Sequence, residues 1–352
     1  MRLEQIETPA LVADLDILED NMKIIKAFTE AAGVALRPHY KSHKCTAIAH
    51  MQIKAGAKGI SCAKLGEAED LAAAGIEDIL IANQIVEPWK LARVAYLAAC
   101  CKLSICVDNL ENIKALEAAA AIQGSTIHCL VEYEIGMKRC GVNTPEEVAT
   151  LAKAINDAPH LSFMGIQAYA GHLSHEEDYD KRKKDSEAVE KRLSDLCAHL
   201  KSQGIAVKEV SGASTGTVEF RPKNGVYTEI QAGSYIFMDK AYEALNLKFR
   251  NALFVAATVM SVSSERTIVD AGRKSIAVDQ KMPTFRDFPD QPARVSEEHS
   301  SIAVGNAAAV GDRLLIIPGH CCTTINMHDT LYLMRGGRIV DRIPVTSRGK
   351  SL

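Results

Sequence analysis

Lys41 closes the run Leu36-Arg37-Pro38-His39-Tyr40-Lys41-Ser42-His43-Lys44, in which a strand-like pattern ends in an amine with Arg37, His39, His43 and Lys44 close by along the chain. Crowded cations disfavour one more ammonium and so favour the neutral, nucleophilic amine. Such an amine condenses with aldehydes. The commonest protein-held aldehyde that needs a lysine partner is pyridoxal phosphate, so Schiff-base chemistry is expected here. Alone, the run also reads as a basic surface turn, and the motifs further along the chain weigh against that.

A phosphate tail is held by backbone amides and hydroxyls in glycine-rich turns. Two stretches have that composition: Ser211-Gly212-Ala213-Ser214-Thr215-Gly216-Thr217 and Gln231-Ala232-Gly233-Ser234-Tyr235. Arg139, in Gly136-Met137-Lys138-Arg139-Cys140-Gly141, is placed to face a cofactor ring, although a loop arginine is as often only solvated. In Tyr169-Ala170-Gly171-His172-Leu173-Ser174-His175 an aromatic hydroxyl and two imidazoles stand ready to anchor a ring and move protons. His320 and Cys322, in Pro318-Gly319-His320-Cys321-Cys322, would project the same way from an extended segment. An imidazole and a thiolate suit zinc or a similar divalent ion, and only two protein ligands would leave the ion open to substrate. The bland reading of this pair is a buried His and Cys at a strand end. His328-Asp329 reads as a turn.

These residues need elements to position them. From about residue 34 to 235, apolar runs alternate with helical patterns, the rhythm of a parallel sheet. Eight runs read as strands: Val34–Lys41, Gly59–Ala63, Asp78–Asn83, Lys102–Asp108, Thr126–Glu132, Leu161–Tyr169, Val207–Gly212 and Val226–Gln231. Amphipathic stretches such as Asn109–Ala121, Pro145–Asn156 and Glu177–Ser202 separate them. The class is α/β and the architecture expected is a (β/α)8 TIM barrel. In such barrels reactive residues sit at the C-terminal ends of strands, and phosphate binds after strands seven and eight. Lys41, Tyr169 and both glycine-rich stretches occupy such ends. Beyond Asn246 the pattern changes to short β-rich runs over 252–263, 266–270, 313–317, 330–334 and 338–345, so residues 16–246 are assigned to the barrel and 247–352 to an all-β domain, which residues 1–15 would join.

The 352 residues carry a net charge of −3. That balance argues against a nucleic-acid partner and for a small-molecule substrate. No apolar run approaches the roughly 20 residues that span a bilayer. Ten cysteines without disulfide-framework spacing and an N-terminus without a signal-peptide layout point to a cytoplasmic protein with no membrane partner.

Taken together, the lysine, loop and metal motifs resemble those of the fold-type III pyridoxal-phosphate enzymes, with an alanine racemase-like barrel, and within them the metal-activated group of D-threonine aldolases, D-serine dehydratases and 3-hydroxy-D-aspartate lyases. The resemblance runs from Glu7-Thr8-Pro9-Ala10 through the motifs above to Asp270-Ala271-Gly272-Arg273-Lys274, Glu297-Glu298-His299 and Cys322. It implies that Lys41 holds the cofactor, that Thr215, Gly216, Thr217, Gly233 and Ser234 cradle its phosphate, and that Arg139 and Tyr169 contact its ring. It further implies that His320 and Cys322 bind Zn2+ or Mn2+, and that the chain forms a homodimer.

The substrate implied is a D-3-hydroxy amino acid, and two reactions remain open. His175 resembles the aldolase pattern, in which a histidine takes the β-hydroxyl proton during retro-aldol cleavage of a D-threonine-type substrate. Cys322 resembles the dehydratase pattern, which gives a 2-oxo acid and ammonia, and Glu134 stands where an aspartate is more usual. The expectation is the aldolase, with the dehydratase as the alternative. An amino-acid racemase, which needs no metal, and a non-catalytic cofactor-binding protein, which would resemble the barrel alone, are the remaining rivals.

Overall fold

The computed structural model describes all residues, Met1–Leu352. The first strand, β1 (Ala10–Asp14), precedes eight parallel strands: β2 (Ala35–Leu36), β3 (Ile60–Cys62), β4 (Asp78–Ile81), β5 (Lys102–Val107), β6 (Ile127–Glu132), β7 (Leu161–Ala168), β8 (Glu209–Gly212) and β9 (Glu229–Ile230). They pair in the order β2-β9-β8-β7-β6-β5-β4-β3. A parallel bridge between His39 and Ser61 links the two ends of that order, closing the sheet into a barrel. Each of these strands falls on one of the eight runs expected from the sequence. The intervening helices are delimited by local signals: Thr144 accepts the Glu147 amide at 3.2 Å, with Pro145 as the first helical residue of Pro145–Asn156.

The barrel floor is ionic. Arg37, 1% exposed, donates to Glu229 at 2.8 Å and to Asp78 at 2.6 Å. Lys58 reaches Glu209 at 2.6 Å and the second Glu229 oxygen at 2.8 Å, while Lys102 pairs with Asp78 at 2.7 Å. Above this layer Gln231 donates to Gln167 at 2.6 Å and to Ser211 at 2.7 Å. Burial works against the Glu229 carboxylate, but Arg37 and Lys58 outweigh it and hold the group below its ordinary range. Arg37 is therefore a neutralised part of the floor. It does not add bare positive charge beside Lys41, as the sequence reading had it.

The remaining strands are β10 (Leu253–Val262), β11 (Thr267–Val269), β12 (Thr284–Phe285), β13 (Phe288–Pro292), β14 (Arg294–Val295), β15 (Ser300–Ile302), β16 (Arg313–Ile317), β17 (Thr330–Arg335) and β18 (Arg338–Pro344). β1 lies among them, antiparallel to β10 and parallel to β17. Its alternate residues Ala10 and Val12 pack with Phe254, Leu315, Ile317 and Met334 in one apolar cluster. Gly336 and Gly337, at φ +56° and +75°, form the two-residue turn from β17 to β18, a conformation that favours glycine.

By density of contacts the chain divides into two units. One comprises Ile25–Lys41, Ile48–Gly233 and Lys350–Leu352, and holds the barrel. The other comprises Met1–Ile24, Ser42–Ala47 and Ser234–Gly349, and holds the mainly antiparallel sheet.

Candidate active site

In the barrel unit, Lys41 lies five positions past the end of β2, in the helical turn that begins at Tyr40. Arg37, in the floor, and His39, which bridges to Ser61, lie between β2 and that turn. His39 Nδ1 accepts the Lys41 amide at 3.3 Å. Lys41 Nζ is 5.7 Å from the centroid of the Tyr169 ring, and Arg139 Cζ is 5.8 Å from the same centroid. Three motifs spread along the chain from Lys41 to Tyr169 thus meet around one aromatic ring.

Arg139 is held by a loop that Glu134 organises. Its carboxylate accepts the amides of Gly136 at 2.7 Å and Lys138 at 2.8 Å. Burial alone would raise the Glu134 pKa, and the two amides outweigh it and lower the value. Lys138, a non-glycine residue at φ +52°, adopts a left-handed conformation within this bonding pattern. The sequence left Glu134 without a role, and the structure makes it the organiser of this loop. Glu132, buried at the end of β6, accepts from Gln84 at 2.6 Å and lies 3.8 Å from Arg139. Burial raises its pKa against the opposing pull of Gln84 and Arg139. The sequence places Glu132 at a strand end, where barrel active-site residues sit, but gives it no role, and Gln84 did not stand out, because an amide in a loop has no spacing signature.

After β8 the chain turns through Ala213 at φ +57° into the short helical turn Thr215–Phe220. Ser214, Thr215 and Thr217 are buried, and Thr217 Oγ1 accepts the Ser214 amide at 3.1 Å. A Cβ on Gly216 would come within 2.2 Å of the Ser174 carbonyl oxygen, so only glycine fits there. Gly233 precedes a second turn, Ser234–Ile236, whose first residue is also buried. Hydroxyls and turn amides in buried loops, with Lys41 and Arg139 at one ring, fit a small phosphorylated aromatic aldehyde in charge and in chemistry.

His175 is half-buried in the segment between the turn Gly171–Leu173 and helix Tyr179–Ser202. His172 is exposed, and its ring occupies the space that a Cβ on Gly136 would enter.

The second cluster lies in the unit that holds the antiparallel sheet. Only His320 is extended, at φ −149°, because the chain turns helical over Cys321–Ile325. The expected extended pairing of His320 and Cys322 gives way to a helix start, secured by Thr324 Oγ1 bonding the His320 carbonyl at 2.8 Å and by Asp239 accepting the Cys321 amide at 2.7 Å. The two side chains still converge through a hydrogen bond. Asp279 bonds His320 Nδ1 at 2.7 Å and accepts the Thr323 hydroxyl at 2.8 Å. Cys322 Sγ lies 3.5 Å from Ser42 Oγ and 3.8 Å from Ser234 Oγ.

Burial disfavours the His320 imidazolium, but Cys322 and Asp279 outweigh it and raise the pKa to about 9, while burial lifts Asp239 to about 6. One imidazole, oriented through its other nitrogen by a carboxylate, and one thiol form a donor pair that suits zinc or a similar divalent ion. No set of three or more His, Cys, Asp or Glu side chains gathers in a metal-binding arrangement. His328 bonds the Ser275 carbonyl at 2.8 Å and is a structural residue. Asp279 and Asp239, 41 and 82 positions before their partners, carry no local sequence signal.

Residues 13–241 match the family described as alanine racemase, N-terminal domain, and residues 252–334 match the one described as putative serine dehydratase domain. The chain is 39% identical to a D-threonine aldolase of Arthrobacter sp, covering 99% of this chain and 94% of that protein. A solved structure of D-threonine aldolase from Filomicrobium marinum is similar at a TM-score of 0.97 and 38% identity, covering 100% of this chain and 98% of that one. The D-threo-3-hydroxyaspartate dehydratase of Delftia sp. HT23 is similar at a TM-score of 0.89 and 26% identity, covering 97% and 98%. Solved variants of that dehydratase replace a histidine and, two positions on, a cysteine by alanine, and the cysteine variant is described as metal-free.

Proposed function

The chain belongs to the alanine racemase N-terminal-domain family of pyridoxal-phosphate enzymes, in the branch that also carries a serine dehydratase domain, and from that membership we propose that it is a lyase cleaving D-3-hydroxy amino acids of the D-threonine type to glycine and an aldehyde. The observation that carries this reading is the full-length likeness to a D-threonine aldolase.

Lys41 is the residue whose amine would hold the cofactor through its aldehyde and would release it when a substrate amine binds. Thr215, Gly216, Thr217, Gly233 and Ser234 hold the phosphate through hydroxyls and amides. Tyr169 and Arg139 fix the ring, with Glu134 and Glu132 ordering the arginine. Pyridoxal phosphate, when bound, supplies an electron sink for the pair released at Cα. His320 and Cys322 are the residues to hold Zn2+ or Mn2+, and such an ion lowers the pKa of a coordinated hydroxyl. His175 is the base for the β-hydroxyl proton, whose loss drives cleavage of the Cα–Cβ bond.

The dehydratase is the second reading. A histidine and a cysteine two positions apart recur in the dehydratase variants described above, and Cys322 favours it. In that reaction Lys41 takes the α-proton and the β-hydroxyl leaves. Incubation with D-threonine separates the two: acetaldehyde with glycine is the expected outcome, and predominant 2-oxobutyrate with ammonia would transfer the assignment.

A homodimer is part of the proposal on the strength of the resemblance, and light scattering on the eluted protein tests it. The ten cysteines form no disulfide, which supports a reducing, cytoplasmic setting, and no helix is long and apolar enough to cross a membrane.

A further inference from the structure

Lys44 is a non-glycine residue at φ +50°. A lysine stays in that conformation only where its surroundings hold it. Three positions after Lys41, it is nonetheless 9% exposed, its carbonyl accepts the Ser347 amide at 3.0 Å, and its Nζ donates to the Ser347 carbonyl at 3.5 Å. Ser347 is fully buried. Next to this reciprocal pair, Thr46 bonds Thr346 Oγ1 through its amide at 3.4 Å and its hydroxyl at 3.1 Å. The same terminal segment continues to Gly349, whose amide donates at 3.2 Å to Asn326, the residue that ends helix Cys321–Ile325. Arg348 pairs with Asp329 at 3.1 Å on the same side.

We propose that Val345–Gly349 is a positioning strap that fixes, through Ser347 and Thr346, the backbone immediately after Lys41 and, through Gly349, the helix that carries Cys322. The left-handed Lys44 turns the chain between the lysine and helix Thr46–Lys54. Without the Ser347 ladder that residue relaxes to an ordinary conformation and the turn Tyr40–Ser42 loses its defined exit. Ser42 contacts Cys322, so a loosened exit also reaches the metal-binding pair. A lysine that spends a tenth of its time in the competent position binds the cofactor about tenfold more weakly. Ser347 and Thr346 are positioning residues, since they act through Lys44 and Thr46.

This inference rests on Lys41 being the cofactor lysine, and the test separates the two. Full-length protein carrying Lys44→Met together with Thr346→Val, and a second protein carrying Ser347→Pro, are freed of cofactor and titrated with pyridoxal phosphate while visible absorbance is followed. Melting of each apoprotein is measured alongside. The expected result is an affinity lower by about tenfold with melting within a few degrees of the parent. Parental affinity in any variant that folds overturns the strap. A parent protein that never colours overturns the cofactor reading itself, which Lys41→Ala tests independently.

Discussion

Asp279 Oδ2 lies 2.7 Å from His320 Nδ1, so a carboxylate sets the tautomer and ring orientation of the imidazole proposed as a metal ligand. Removing such an outer partner ordinarily costs roughly 10–100-fold in metal affinity. Asp279→Ala is expected to weaken Zn2+ or Mn2+ binding by that factor, measured by competition with a chromophoric chelator. Asp279→Asn is expected to recover part of the loss, since its amide oxygen still accepts from Nδ1. Unchanged affinity in the alanine variant would remove Asp279 from the site.

Lys41 Nζ and Arg139 both approach the Tyr169 ring, and only Lys41 has an amine able to condense with an aldehyde. Lys41→Ala is expected to lose the visible Schiff-base absorbance and all turnover while melting near the parent temperature. A coloured variant would place the linkage on another lysine.

His175→Ala is expected to lower kcat by about 10²–10⁴-fold, the usual contribution of a positioned base. The cofactor's visible absorbance should remain. A drop of less than tenfold would shift the base to a bound water or another side chain. Turnover that survives full chelation would point instead to a racemase-like enzyme.

The ionic floor makes stability depend on acid. Glu229 and Asp78 have folded pKa values below their ordinary 4.5 and 3.8; burial opposes each shift, and Arg37 with Lys58 or Lys102 overcomes it. A depressed carboxyl pKa contributes stability that is complete above the ordinary value and is lost as pH falls through the folded value. Chemical denaturation below pH 4.5 is therefore expected to show stability falling steeply. Glu229→Gln, which leaves Arg37 and Lys58 short of a partner, is expected to cost roughly 3–5 kcal/mol at neutral pH and to flatten that fall.

The barrel was legible because eight apolar runs alternate with amphipathic stretches, a pattern that needs no long-range information. The β-rich region was only partly so. β12, β14 and β15, two or three residues each, are too short to show alternation. For the site, residue type gave Lys41, the two loops and the His320/Cys322 pair as candidates. What sequence could not convey was who neutralises whom. Arg37 looked like a cation beside Lys41 until carboxylates from β4 and β9, 41 and 192 positions away, were seen to claim it. The turn at Cys321 was missed for the same reason, since its determinant, Asp239, sits on a different element.

The floor of the barrel also constrains how this sequence can drift. Arg37, Lys58, Asp78, Lys102, Glu209 and Glu229 share partners so closely that a neutral replacement at one strands a counter-ion at another. Homologous chains are therefore expected to inherit the six as a set or to exchange several in concert for apolar residues, so that an alignment of them would display correlated columns where an ordinary hydrocarbon interior would vary site by site.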